Sequence, residues 1–140
     1  MLSVSDIKRA LRDAGFEVYR TDGYVVHIAD RVRENLIMDA GIRVDGGRDA
    51  VVVYVRAQKG DFPGESDDEL YNRARALANP AFAKGYLEAR MFVTELPDPG
   101  NPHRILDRFY QVQIEKAVAS VASALDEVRF AHTLVKTATR

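Results

Sequence analysis

The chain contains no cysteine. Disulfides, thiolate metal sites and a thiol nucleophile are therefore excluded, and this usage fits a reducing, cytoplasmic setting. Net charge is also scarce: 20 Lys and Arg against 21 Asp and Glu leave -1 at pH 7. Such a field is too weak to draw the chain to nucleic acid or to an anionic membrane. Long apolar runs are missing. The longest, Ala50 to Val55, has strand length, far short of the ~20 residues that span a bilayer. No basic region followed by an apolar run opens the chain, so no signal peptide is expected. Internal repeats and low-complexity segments are absent. After Pro102 neither glycine nor proline recurs.

What remains is an ordinary globular composition, 46% hydrophobic and 29% charged over 140 residues. That length is one domain, able to bury a core without staples. Arg outnumbers Lys fifteen to five. GC-rich codon usage explains this more simply than a dedicated anion-binding surface.

Local signals are strongest at the N-terminus. Ser3 with Asp6 three residues on reads as a weak capping box, and Val4, Ile7, Leu11 and Ala14 form one helical stripe. Gly15 supplies the stop, and Phe16 folds back on Leu11. Two strand-like runs, Phe16 to Thr21 and Tyr24 to Ala29, flank Asp22-Gly23. A type I′ turn there sets Tyr19 opposite Val26 and Val18 opposite His27. Residues 30–41 fit either a short helix capped by Asp30 and stopped by Gly41, or an irregular strand; the helix is the preferred reading. A second hairpin follows, Ile42 to Val44 and Ala50 to Arg56, around Asp45 to Asp49. Its Val51 to Val55 run is apolar on both faces and belongs at the sheet centre.

Lys59 to Glu65 reads as a loop. Ser66 to Glu69 is a complete capping box for a helix carrying Leu70, Ala74, Leu77 and Ala78, which Asn79-Pro80 ends or interrupts. Tyr86 to Leu96 reads as a strand with Leu87, Ala89, Met91 and Val93 on one face. Beyond the proline-rich break at 97–102 two readings stand level. One is a single long helix with Pro102 in its first turn. The other is a strand over about Ile105 to Glu115, paired with the Tyr86 strand, and a helix from about Val118. The whole predicts a single α+β domain over residues 1–140. Its mostly antiparallel sheet is packed by an N-terminal, a middle and a C-terminal helix.

Chemistry-bearing residues are sparse. His27, His103 and His132 lie beyond helical or hairpin reach of one another. Asp61, Glu65, Asp67, Asp68 and Glu69 cluster, but the spacing fits no calcium loop, and the last three suit the first turn of a helix. Asp45-Gly46-Gly47-Arg48 is no phosphate loop, and no serine sits in a nucleophile elbow. Tyr19, Tyr24, Tyr54 and Phe92 fall on strands without a basic cluster around them, which argues against nucleic acid. The segment after the central strand carries Arg56, Asp61 and Phe62. These three are the candidate partner-binding residues, with Phe62 either tucked under its loop or presented to a partner.

Leu70-Tyr71-Asn72-Arg73-Ala74-Arg75 and Phe82-Ala83-Lys84-Gly85-Tyr86-Leu87, together with the element order, resemble the helix-to-strand passage of the type III secretion chaperone-like fold. That group includes the bacterial sensory transduction regulator family. The resemblance implies a non-enzymatic, often dimeric protein that binds another polypeptide. The expectation is therefore a binding, adaptor or chaperone-like protein with a protein partner, homodimerisation included, and with no cofactor, nucleic acid or membrane. The alternative is a small metal-dependent enzyme using His27, His103 or His132 with Asp61 or Glu65.

Overall fold

The structure is a computed structural model and describes residues 1–138. It is an α+β fold of three α-helices and a six-stranded antiparallel sheet. The helices are α1 (Val4–Asp13), α2 (Asp67–Ala83) and α3 (Val121–Ala138). The strands are β1 (Val18–Asp22), β2 (Val25–Arg33), β3 (Leu36–Asp45), β4 (Ala50–Gln58), β5 (Leu87–Asp98) and β6 (Asn101–Ala117), in the order β1-β2-β3-β4-β6-β5. By contacts the chain divides into two compact units, Met1–Val53 with the chain from Glu115, and Tyr54–Ile114.

In the first unit, α1 forms as its caps dictate. Ser3 Oγ accepts from the Asp6 amide, Gly15 is left-handed at φ 89°, and the Phe16 amide donates back to the Leu11 carbonyl. Ile7 and Leu11 point into the core beside Val44, Val121, Ala124 and Leu125. Burying such side chains stabilises by about 1.5–3 kcal/mol each. The β1–β2 hairpin exists, but its turn sits one residue further on than the Asp22-Gly23 signal suggests. Asp22 pairs with Val25, leaving Gly23 and Tyr24 as the loop. Only Gly23 has positive φ there, at 58°. A type I′ turn needs two such residues, whereas a II′ turn needs only a glycine in first place. The pairing accordingly becomes Thr21 with Val26 and Arg20 with His27, with a register shift between Val18 and Arg20.

Residues 30–41 are not helical. They complete the β2–β3 hairpin, whose pairs include Ala29 with Asp39 and Arg31 with Ile37. Gly41 is left-handed at φ 75°, as a helix stop would be, yet here it serves the register shift between the Asp39 and Arg43 pairings. A β-bulge calls for the same backbone freedom. The β3–β4 hairpin pairs Asp45 with Ala50 and Ile42 with Val53. Ala50 to Val53 are all buried, as a strand covered on both sides requires.

In the second unit the Ser66–Glu69 capping box is complete. The helix it opens runs through Pro80 to Ala83. Leu70, Ala74, Ala78 and Ala81 anchor its buried stripe while Asn79 and Pro80 stay exposed, so the proline faces water. Left-handed Gly85 ends the passage, and Tyr86 is buried. The long-helix reading of the C-terminal region is overturned. Asn101–Ala117 is a strand, returning from β5 through Pro99-Gly100. Tyr110, Val112 and Ile114 are buried while Gln111 and Gln113 are half-buried, the period of two that a one-sided strand shows.

Candidate functional site

The two ends of the sheet differ. At one end, β1 is five residues long with an irregular register, and Arg20 pairs with Asp22 on it. Shortness, charge and irregularity are the devices that keep a sheet edge from pairing with other chains. At the other end, β5 runs for 12 residues, and all but Phe92 and Asp98 are exposed. By strand alternation Leu87, Ala89, Met91 and Val93 share one face. Their apolar members are open to solvent: Leu87 is 73% exposed, Met91 37% and Val93 39%. Charge and proline blunt β5 at Glu88, Arg90 and Glu95 and at its end, Pro97-Asp98.

The opposite face of the Tyr54–Ile114 unit carries a lattice of rings and guanidiniums. Arg90 Cζ lies 4.5 Å from the centre of the Phe92 ring, and Phe92 meets Tyr54 edge to face at 5.9 Å. Arg56 Cζ lies 4.8 Å from the centre of Phe109. Amide side chains tie the strands between these stacks. Arg90 Nε donates to Gln113 Oε1 at 2.8 Å, and Gln111 Nε2 donates to Thr94 Oγ1 at 2.8 Å. Among the described residues neither Arg56 nor Arg90 forms an ion pair, in contrast to Arg73 and Arg75, which do. Asp107 on the same face is already engaged. It accepts from Gln58 Nε2 at 2.6 Å and from the Gly60 amide at 2.9 Å. The Gln58 bond leads the causes that hold its carboxyl below the usual range, backed by the Arg108 and Gly60 amides.

No family model, curated protein or solved structure matches the chain.

Of the three candidate partner-binding residues, Arg56 is exposed on β4 and belongs to this lattice. Asp61 is exposed at the end of a single 3-10 turn, Lys59–Asp61. Phe62 is half-buried under the Arg73 guanidinium, 3.9 Å from the ring centre, and Glu65 holds that arginine through Nε at 2.6 Å. Arg56 with Phe109 and Phe62 with Arg73 are thus separate pairs.

The histidines sit apart in role. His27 is buried on β2, with Nε2 3.0 Å from Asp22 Oδ2 and Nδ1 3.8 Å from Asp39 Oδ2. Its cross-strand neighbours are Arg20 and Arg43, not Val18. Burial first, then Arg43 and Arg20, lower its pKa. His132 packs edge to face on Phe16 at 5.6 Å. Burial, then Lys136, lowers its pKa. His103 is exposed on β6. Glu65 is engaged by Arg73. Among the described residues no three His, Cys, Asp or Glu side chains form a metal-holding group. No described helix is long and apolar enough to cross a membrane.

Reading the residues alone missed the Arg90–Phe92 and Arg56–Phe109 stacks. The available signal was alternation: Arg90 and Phe92 two apart on one strand, Phe109, Gln111 and Gln113 two apart on the next. It becomes visible only once the strand reading of 105–115 is chosen.

Proposed function

We propose that the protein binds another polypeptide, which adds as an extended strand along the outer edge of β5. One observation carries this reading: the sheet ends on one side in a short, charged, irregular strand and on the other in a 12-residue strand with exposed Leu87, Met91 and Val93. A long apolar edge is a template for pairing, because its outer N–H and C=O groups lack partners in the sheet. An added strand takes affinity from main-chain hydrogen bonds and selectivity from alternate side chains. The resemblance of the 70–87 passage to the chaperone-like group supports the same reading, since that group binds polypeptides.

The test uses a soluble peptide of alternating Thr and Val and an N-methylated copy that cannot donate main-chain hydrogen bonds. Amide hydrogen exchange is followed in the whole chain. Protection over 87–98 by the first peptide, and none by the second, is expected. Protection elsewhere, or equal protection by both, overturns the proposal.

A further inference from the structure

The two faces of β5 differ in chemistry, and that difference selects among polypeptides. A strand laid along this edge continues the sheet, so its residues alternate between the same two faces. On one face they meet Leu87, Ala89, Met91 and Val93, which want apolar partners. On the other they meet Arg90, Phe92 and Thr94, with Arg56 further in on the same face.

Arg90 is the discriminating group. Its guanidinium is exposed, rests on the Phe92 ring and spends Nε on Gln113. Among the described residues it has no carboxylate partner, although the chain is rich in acids that pair with Arg31, Arg48, Arg73, Arg75 and Arg108 elsewhere. The planar fork of a guanidinium suits a carboxylate with two parallel hydrogen bonds. Stacking on Phe92 and the bond to Gln113 hold the fork in place before a ligand arrives, which lowers the ordering cost of binding.

We propose that the segment taken at the β5 edge carries an acidic residue flanked by apolar ones, the carboxylate meeting Arg90 and its neighbours meeting the Leu87–Val93 stripe. This rests on the edge-binding reading above. An acidic peptide is favoured over a nucleic acid because two unpaired guanidiniums do not make a phosphate track. Nucleic-acid binders commonly neutralise about 6–10 phosphates.

The experiment compares three short peptides in fluorescence anisotropy with the intact chain. Each alternates Thr and Val and has Glu, Gln or Lys at one central Thr position. The expected order is Glu, then Gln, then Lys, with about three- to five-fold between Glu and Gln, the scale of an exposed charge pair. Arg90→Glu reverses the order of Glu and Lys, and Arg90→Gln removes the preference without abolishing binding. Equal affinities for the three peptides overturn this inference and leave edge binding standing. No binding by any peptide overturns both. Two further results overturn the acidic segment as occupant. One is binding of a single-stranded oligothymidine that Arg56→Ala and Arg90→Ala abolish. The other is a dimer in sedimentation that Val93→Lys dissociates.

Discussion

His27 Nε2 lies 3.0 Å from Asp22 Oδ2 although the residue is only 2% exposed. Burial first, then the guanidinium charges of Arg43 and Arg20, lower the pKa of the ring in the folded chain, and outweigh the opposing pull of the Asp39 and Asp22 carboxylates. The unfolded chain takes up a proton near the ordinary value of 6.5, whereas the folded chain takes it up only at lower pH. Unfolding thus binds protons in that window, and stability rises with pH through it. The contribution is complete above about pH 6.5 and is lost progressively as pH falls toward the lowered folded value. His132 acts in the same direction. The urea midpoint is expected to fall between about pH 7.5 and about pH 5.5, and His27→Gln flattens the slope even as it lowers the midpoint. A midpoint that climbs on acidification contradicts this account.

Gly46 is a packing position. A Cβ placed there lies 2.6 Å from the Leu2 carbonyl oxygen, which is backbone and cannot swing away. The Leu2 amide in turn donates to the Gly46 carbonyl at 2.9 Å and to Asp49 Oδ1 at 2.8 Å, tying the start of α1 to the β3–β4 turn. Gly46→Ala forces these apart and is expected to cost about 1–3 kcal/mol, as overpacking does. Gly64→Ala is the control, since nothing lies within 4 Å of its Cβ position. Thermal denaturation of the two variants separates a steric cause from a general effect of replacing glycine.

Elements that signal through their own neighbours were legible. Ser3, Ser66 and Gly15 act within one turn of chain, so α1 and the start of α2 could be read directly. Residues 30–41 misled because Val32, Leu36 and Ala40 fit the helical period, and a left-handed Gly41 ends a helix or bends a strand equally well. What decided between them was pairing with β2, which lies outside any local window. The proline-rich break and Tyr110 to Glu115 posed the same problem, since β6 is a strand only because β4 and β5 flank it. The site was partly visible. Arg56 was singled out for its position past the central strand, but its stacking partner Phe109 is brought to it only by strand order. Phe62 could be read as tucked under its loop or as presented to a partner, because Arg73, which covers it, belongs to the following helix.

Pro80 lies inside α2, and this location predicts a gain in stability. The residue cannot donate to the Ala76 carbonyl one turn back, and a helix-interior proline costs about 3 kcal/mol relative to alanine. The helix survives because Leu70, Ala74, Ala78 and Ala81 are fully buried along one stripe. Pro80 itself is exposed, so replacing it removes no core contact. Pro80→Ala is expected to raise stability by about 1–3 kcal/mol, read from urea unfolding. A neutral or lower value means that proline's restriction of the unfolded chain outweighs the regained hydrogen bond.

Tyr110 ties β6 to the first turn of α2 by one hydrogen bond. Its hydroxyl donates to Asp67 Oδ1 at 2.6 Å, and its ring meets Tyr71 edge to face at 5.1 Å. The phenol is buried, and the Asp67 carboxylate accepts only while the proton stays on the phenol. The hydrogen bond first, then burial, push the pKa above 10.0. Tyr110→Phe keeps the ring and its packing, removing only the bond. Hydrogen bonds to charged groups contribute about 1.5–3 kcal/mol, and the exposure of Asp67 puts this one at the lower end, about 1.5 kcal/mol. Asp67→Asn keeps an acceptor but removes the charge, so it is expected to cost less and to bring the phenol's ionisation down toward its ordinary value. Absorbance titration of the tyrosinate and a double-mutant cycle on the two positions read these effects separately. Two single losses that simply add would show that the pair does not couple α2 to β6, and a coupling near 1 kcal/mol would show that it does.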